Sequence, residues 1–230
     1  MPAFEAAWNS GAEWVEADTQ PTADGVPVIL HDEQLDRTTS GTGPVRAHLA
    51  AELAQLRVLG LPAARVPELA TVLAALAPKR KVLLEIKGKH TAEQVGVVLR
   101  TTTEHERQVE LESFEVDVLR QVRVSEPARA VGLLVERLDE DPVAVSRGLG
   151  VAAYNPEYRQ ILRRPDVVPQ LHRAGLALAV WTCDDPDDWQ RLTEAGVDAI
   201  ITNTPAELLA WQRSRGDLPR PAHRDRPLDG

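Results

Sequence analysis

The sequence has one cysteine, Cys183, so it can form no disulfide within the chain and build no multi-cysteine zinc site. It has no apolar stretch approaching the roughly 18 residues a membrane helix needs, and no signal-peptide pattern at its start. Basic runs are also missing. The longest is Lys79-Arg80-Lys81, too little for a nucleic-acid footprint. Lysine itself is scarce: four Lys stand against 22 Arg, and all four lie between Lys79 and Lys89. What is present is a globular mixture of 43% hydrophobic and 27% charged residues, with a formal charge of −9. The 230 residues fit one large domain. The expectation is a soluble, acidic, single-domain protein of the cytoplasm with no nucleic-acid partner.

Short apolar runs rich in β-branched residues alternate with Ala/Leu-rich amphipathic stretches. The runs predict strands at Glu13–Asp18, Val82–Ile86, Val109–Phe114, Ala130–Val135, Gly150–Tyr154, Ala177–Thr182 and Asp198–Thr202. Helical patterns include Pro2–Asn9, Thr91–Arg100, Glu115–Val122, Pro186–Ala195 and Pro205–Arg213. Pro186 and Pro205 suit first helical turns, where no donor is lost. Gly175 and Gly196 suit helix ends, where positive φ is wanted. Strands that are apolar on both faces belong to a parallel sheet, either doubly wound or closed into a (β/α)₈ barrel. Seven strands are visible where a barrel needs eight. The long gap from Asp18 to Val82 holds an insertion with its own short strand, Val26–Leu30. The domain is expected to occupy residues 1–213. The Pro-rich, charged residues 214–230 read as a disordered tail.

Three constellations sit at or near predicted strand ends. In Glu16-Ala17-Asp18, residues two apart share a face, so two carboxylates converge and repel unless a cation or proton separates them. A solvated strand end is the plainer alternative. Glu85-Ile86-Lys87 puts an acid and a base on one face, either as a site or as a simple ion pair. His31-Asp32 closes the run Val26–Leu30, where an imidazole beside an acid can serve as general acid or base. No comparable setting surrounds His48, His90, His105, His172 or His223.

In order and spacing these pieces resemble the glycerophosphodiester phosphodiesterase family. The matching segments are Val15-Glu16-Ala17-Asp18, Thr22-Ala23-Asp24-Gly25-Val26-Pro27-Val28, His31-Asp32 and Leu35-Asp36-Arg37-Thr38-Thr39. They continue with Glu85-Ile86-Lys87, Glu112-Ser113-Phe114, Val180-Trp181-Thr182 and the run from Gly196 to Pro205. The resemblance spans Pro2 to about Trp211. It implies a TIM (β/α)₈ barrel that hydrolyses glycerophosphodiesters to glycerol 3-phosphate and an alcohol. On matching positions it implies that Glu16, Asp18 and Glu85 bind one divalent cation and that His31 acts in acid–base catalysis. Lys87 would hold a phosphate oxygen, and Phe114 and Trp181 would line the pocket. An all-oxygen carboxylate site suits Ca²⁺ or Mg²⁺.

Two departures accompany the resemblance. Family members open with a strand ending in His-Arg-Gly, which supplies a second catalytic His, followed by an E-N-T segment. This sequence starts at Met1-Pro2-Ala3-Phe4, where that segment would hand over to the first helix. The expectation is therefore an enzyme whose first strand lies upstream of Met1. Its rival is a non-catalytic descendant that binds phosphate esters. A third reading, an aldolase-like lyase with Lys87 as Schiff-base nucleophile, leaves the Glu-x-Asp and His-Asp pieces without work. Asn203 stands where the family has Asp, and a helix cap is its expected role.

Overall fold

The computed structural model describes residues 1–215, in two compact units that are taken in turn. The first comprises residues 1–8 and 13–127, the second residues 9–12 and 128 onward. Residues 216–230, most of the expected tail, lie outside the described residues, and Ser214 closes the last helix.

Helix α1 (Pro2–Ser10), whose residues up to Trp8 belong to the first unit, buries Phe4 and Trp8. Strands β1 (Trp14–Pro21), β5 (Lys81–Ile86) and β6 (Val109–Ser113) are parallel neighbours in that order. Helices α4 (Ala92–Thr102) and α5 (Val116–Ser125) follow β5 and β6. Alternation on β5 explains its placement. Val82, Leu84 and Ile86 are fully buried on one face, which leaves Leu83 and Glu85 on the other. The helix that follows starts on a capping box, with the Thr91 hydroxyl accepting from Gln94 N and the Gln94 side chain accepting from Thr91 N.

Between β1 and β5 the insertion is more structured than its sequence suggests. Strand β2 (Pro27–Ile29) pairs antiparallel with the end of β1. Then come helix α2 (Ala50–Leu53), the antiparallel hairpin β3 (Arg57–Val58) and β4 (Leu61–Arg65), and helix α3 (Leu69–Ala74). Val28, Leu35, Val45, Leu53 and Val66 form a small apolar core of their own, flanked by Leu30 and Leu56. The exposed segment Leu61–Arg65 lacks apolar alternation, which is why the sequence did not predict a strand there.

In the second unit, β7 (Val131–Val135) pairs parallel with β8 (Ala153–Pro156), and helix α6 (Pro142–Leu149) connects them. Next come α7 (Tyr158–Arg163), α8 (Val167–Arg173), β9 (Ala179–Val180), α9 (Pro186–Ala195), β10 (Ala199–Ile200) and α10 (Pro205–Ser214). The strand expected from Gly150 starts instead at Ala153. Gly150 is a helix C-cap at φ 65°, a left-handed conformation that no strand contains. The strands expected at Ala177–Thr182 and Asp198–Thr202 shrink to two residues each, and β9 and β10 pair parallel. Asn203 does not cap α10. Thr204 holds that position, and Asn203 instead donates to both Asp184 carboxylate oxygens, at 2.7 Å from its backbone and 2.9 Å from its side chain. Among the described residues no helix is long and apolar enough to cross a membrane.

Candidate functional site

Two parallel strands assemble an acidic cluster in the first unit. Glu16 and Asp18 project from one face of β1, and the β1–β5 register sets Asp18 directly opposite Glu85. One carboxylate oxygen from each of Glu16, Asp18 and Glu85 lies within 4.8 Å of the others. Asp18 and Glu85 are buried, and Glu16 is partly exposed. Lys87 follows Glu85 on the same face. Its Nζ donates to Asp18 Oδ1 at 2.8 Å and stands 3.8 Å from Glu85 Oε2. Glu85 and Lys87 thus do not simply pair with each other: the ammonium's shorter contact is with Asp18 on the neighbouring strand.

The cluster holds more negative charge than one ammonium balances. Burial pushes the Glu16 carboxyl well above the usual carboxylate range, and the charges of Asp18, Glu112 and Glu85 push it further. Glu85 is raised to about 7, by burial first, with Lys87 opposing and Asp18 adding to the rise. Burial works against the Lys87 ammonium, but the hydrogen bond to Asp18 and the surrounding carboxylates outweigh it and raise its pKa. Lys87 therefore stays charged, while the raised Glu16 and Glu85 carboxyls hold their protons more tightly than exposed glutamates do, and an arriving cation would displace them. Glu112 belongs to this group, although its sequence context alone points to no role for it. It is fully buried on β6 and registers against Glu85. Its position in Glu112-Ser113-Phe114 offered the signal, but the strand pairing was needed to read it.

His31 lies just beyond β2. Its Nδ1 is 2.8 Å from Asp32 Oδ1, and the Arg37 guanidinium grips the same carboxylate with Nε and Nη2, each at 2.6 Å. The hydrogen bonds from Arg37 and then His31 hold Asp32 down at about 2. An ionised carboxylate can only accept, so Nδ1 carries the proton and Nε2 of the neutral ring is a proton acceptor. The ring is 67% exposed, so little packing orients it. The loop is tied to β1 by Leu30 N donating to Asp18 O at 3.1 Å and by the buried Gln20 side chain. The insertion also reaches the turn after Lys87. Gly88, at φ 71°, has Glu33 Oε1 3.5 Å and Arg46 Nη2 3.8 Å from where a Cβ would sit.

The expected pocket residues are less constrained. Phe114 lies past the end of β6 rather than within it, at 36% exposure. Strand β6 stops one residue earlier, where the Ser113 hydroxyl donates to Ile86 O and accepts from Glu115 N. Trp181 belongs to the second unit, where its indole N–H donates to Asn155 O at 2.8 Å.

With this geometry in view, comparison with known proteins is decisive. Residues 1–207 match the model of the glycerophosphoryl diester phosphodiesterase family. The chain belongs to that family. Its enzyme class is accordingly that of the phosphoric diester hydrolases. A glycerophosphodiester phosphodiesterase of Caldanaerobacter subterraneus is 32% identical, over 94% of this chain and 92% of that one. Among solved structures, a glycerophosphodiester phosphodiesterase of Agrobacterium tumefaciens aligns at 27% identity with a TM-score of 0.77, covering 90% of each chain. A phosphodiesterase of Oleispira antarctica, solved with the product sn-glycerol-3-phosphate, aligns at 23% identity with a TM-score of 0.84, covering 92% of this chain and 89% of that one. The fold class is the TIM-barrel α/β class of this family. Family membership also gives the acidic cluster its context, as a set of ligands able to hold a metal ion.

Proposed function

We propose that this family member hydrolyses glycerophosphodiesters to glycerol 3-phosphate and an alcohol, using a divalent cation held by Glu16, Asp18 and Glu85. The observation that carries this reading is three carboxylates meeting within 4.8 Å beside a charged lysine. The donor set fits the group: all ligands are oxygens, which suits Ca²⁺ or Mg²⁺, and burial and acidic neighbours raise the Glu16 and Glu85 carboxyls, a penalty that a bound cation would relieve. When bound there, such a cation polarises the phosphoryl group and spreads transition-state charge.

The chain's own residues would do the rest. Lys87 would hold a non-bridging phosphate oxygen, fixing the phosphorus near the carboxylates. His31, oriented through Nδ1 by Asp32, would take a proton at Nε2 from the attacking water and deliver it to the departing alkoxide. Water adds to phosphorus and the ester P–O bond breaks, so the net change is one water consumed. Phe114 and Trp181 are proposed as pocket residues on the strength of their motif match alone. We assign the product to glycerol-phosphate and lipid metabolism, and the chain to the cytoplasm.

Replacing Lys87 with Ala should raise KM for a glycerophosphodiester roughly 10–100-fold, the worth of one charged hydrogen bond. An unchanged KM would leave Lys87 as a counter-charge for Asp18 and nothing more.

A second reading, binding of phosphate esters without turnover, draws on His31 being the one imidazole in residues 1–215 assigned to this site. Assaying glycerophosphodiester hydrolysis and phosphate-ester binding with Ca²⁺ or Mg²⁺ decides between the two readings: binding without hydrolysis would favour the binding protein.

A further inference from the structure

We propose that Gln20 is the positioning residue for His31, fixing the loop that carries it to the strand that carries the metal ligands. The inference rests on the proposed role of His31 and extends it. Gln20 is 2% exposed and lies two residues beyond Asp18 on the same face of β1. Its side-chain amide nitrogen meets three consecutive carbonyl oxygens, Leu30 O at 2.7 Å, His31 O at 3.2 Å and Asp32 O at 2.9 Å. Two N–H bonds thus serve three acceptors, so the loop backbone curls around one nitrogen.

That arrangement answers a need visible in the geometry. The His31 ring and the Arg37 side chain are each about two-thirds exposed or more, so neither is set in place by packing. The Asp32 contact fixes the ring relative to its own loop, but not relative to the carboxylates. Gln20 supplies that second relation. Glu16, Asp18 and Gln20 form a single row along β1, and the distance from ligand to anchor is set by strand rise, about 6.5–7 Å over two residues. A displacement of the loop by about 1 Å would cost on the order of 10²-fold in rate.

The substitution Gln20→Met keeps the shape and removes both donors. It should lower kcat by roughly 10–10²-fold, with KM for the diester and the affinity for Ca²⁺ measured by calorimetry unchanged. Combined with His31→Ala it should cost nothing more, because its effect passes through the imidazole. A residue with a merely structural role would lower the residual rate in both backgrounds and shift Ca²⁺ affinity as well. A second readout needs no activity. By NMR, the His31 ring signals should move toward those of a mobile side chain in Gln20→Met, and unchanged signals would overturn the proposal. Should Gln20→Met not fold, Gln20→Asn, whose amide is one methylene too short to span the three carbonyls, is put to the same two tests. Loss of activity on His31→Ala with no coupling to Gln20 would refute the anchor but not the function. Full activity in His31→Ala would refute the assigned role of His31, and the NMR result would then decide the anchor alone.

Discussion

Replacing His31 with Ala is expected to lower kcat for glycerophosphodiester hydrolysis by roughly 10²–10⁴-fold, with substrate binding largely retained. The expectation follows from what the imidazole can and cannot do in its setting. Its Nδ1 is committed to Asp32, which Arg37 and His31 together keep ionised down to about pH 2. Nε2 is then the atom able to exchange protons with a reacting oxygen, and no binding interaction to the phosphate needs it. Asp32→Asn should act in the same direction but more weakly. The amide can present an N–H to the ring as readily as an oxygen, and would then stabilise the tautomer with the proton on Nε2. The measurement is steady-state kinetics on both variants at saturating Ca²⁺ or Mg²⁺. A His31→Ala protein with unaltered kcat would show that another group moves the proton.

Neutralising the cluster is the second large effect. Glu85→Gln and Asp18→Asn should each weaken Ca²⁺ or Mg²⁺ binding by at least roughly 10–100-fold, the loss commonly seen for groups that merely support a ligand. Chelation should abolish turnover in the parent. The pH dependence has a definite sign. Glu85 titrates at about 7 in the folded, cation-free chain, against the lower value of an exposed glutamate, and Glu16 is raised as well. Between those values the folded state holds protons that the unfolded state has released. Stability of the cation-free chain therefore falls as pH rises toward and through about 7. The cation needs the ionised carboxylates, so its affinity rises over the same interval and flattens above it. At pH 6, calorimetry in buffers of different ionisation enthalpy should record about one proton released per cation from Glu85 alone. Lys87 adds none, because its pKa is raised and it stays an ammonium. Cation binding that is independent of pH between 5 and 8 would contradict this assignment of the ligands.

Much of this site can be read from spacing. Strand parity alone puts Glu16 with Asp18 and Glu85 with Lys87, and that holds even though β1 and β5 each differ from their expected bounds by one to three residues. Parity is insensitive to where a strand frays. What spacing does not reveal is which residue on one strand meets which on the next. That is why Glu112 stayed hidden until the register set it against Glu85, and why the contact of Lys87 with Asp18 on the next strand cannot be read from spacing. Gln20 escaped for a related reason, since its acceptors are backbone carbonyls 10 to 12 residues away, which no side-chain pattern marks. Gly150 misled because a glycine ahead of an apolar run reads equally well as a strand start or as the left-handed end of a helix.

The small core beneath the insertion has a consequence for motion. Val28, Leu35, Val45, Leu53 and Val66 pack against one another, so the segment they belong to can loosen as one cooperative piece, apart from the strands that bear the acids. Its ties to β1 are the short β2 pairing, the Thr19 hydroxyl donating to Val28 O, a backbone bond to Asp18 and the Gln20 amide. The acidic residues and Lys87 sit on the longer β1–β5 ladder, whose rungs do not depend on those ties. On the role proposed for His31, local opening of this segment would carry the imidazole away while the carboxylates stay on their ladder, and hydrogen exchange should then find the insertion's amides less protected than those of β1 and β5.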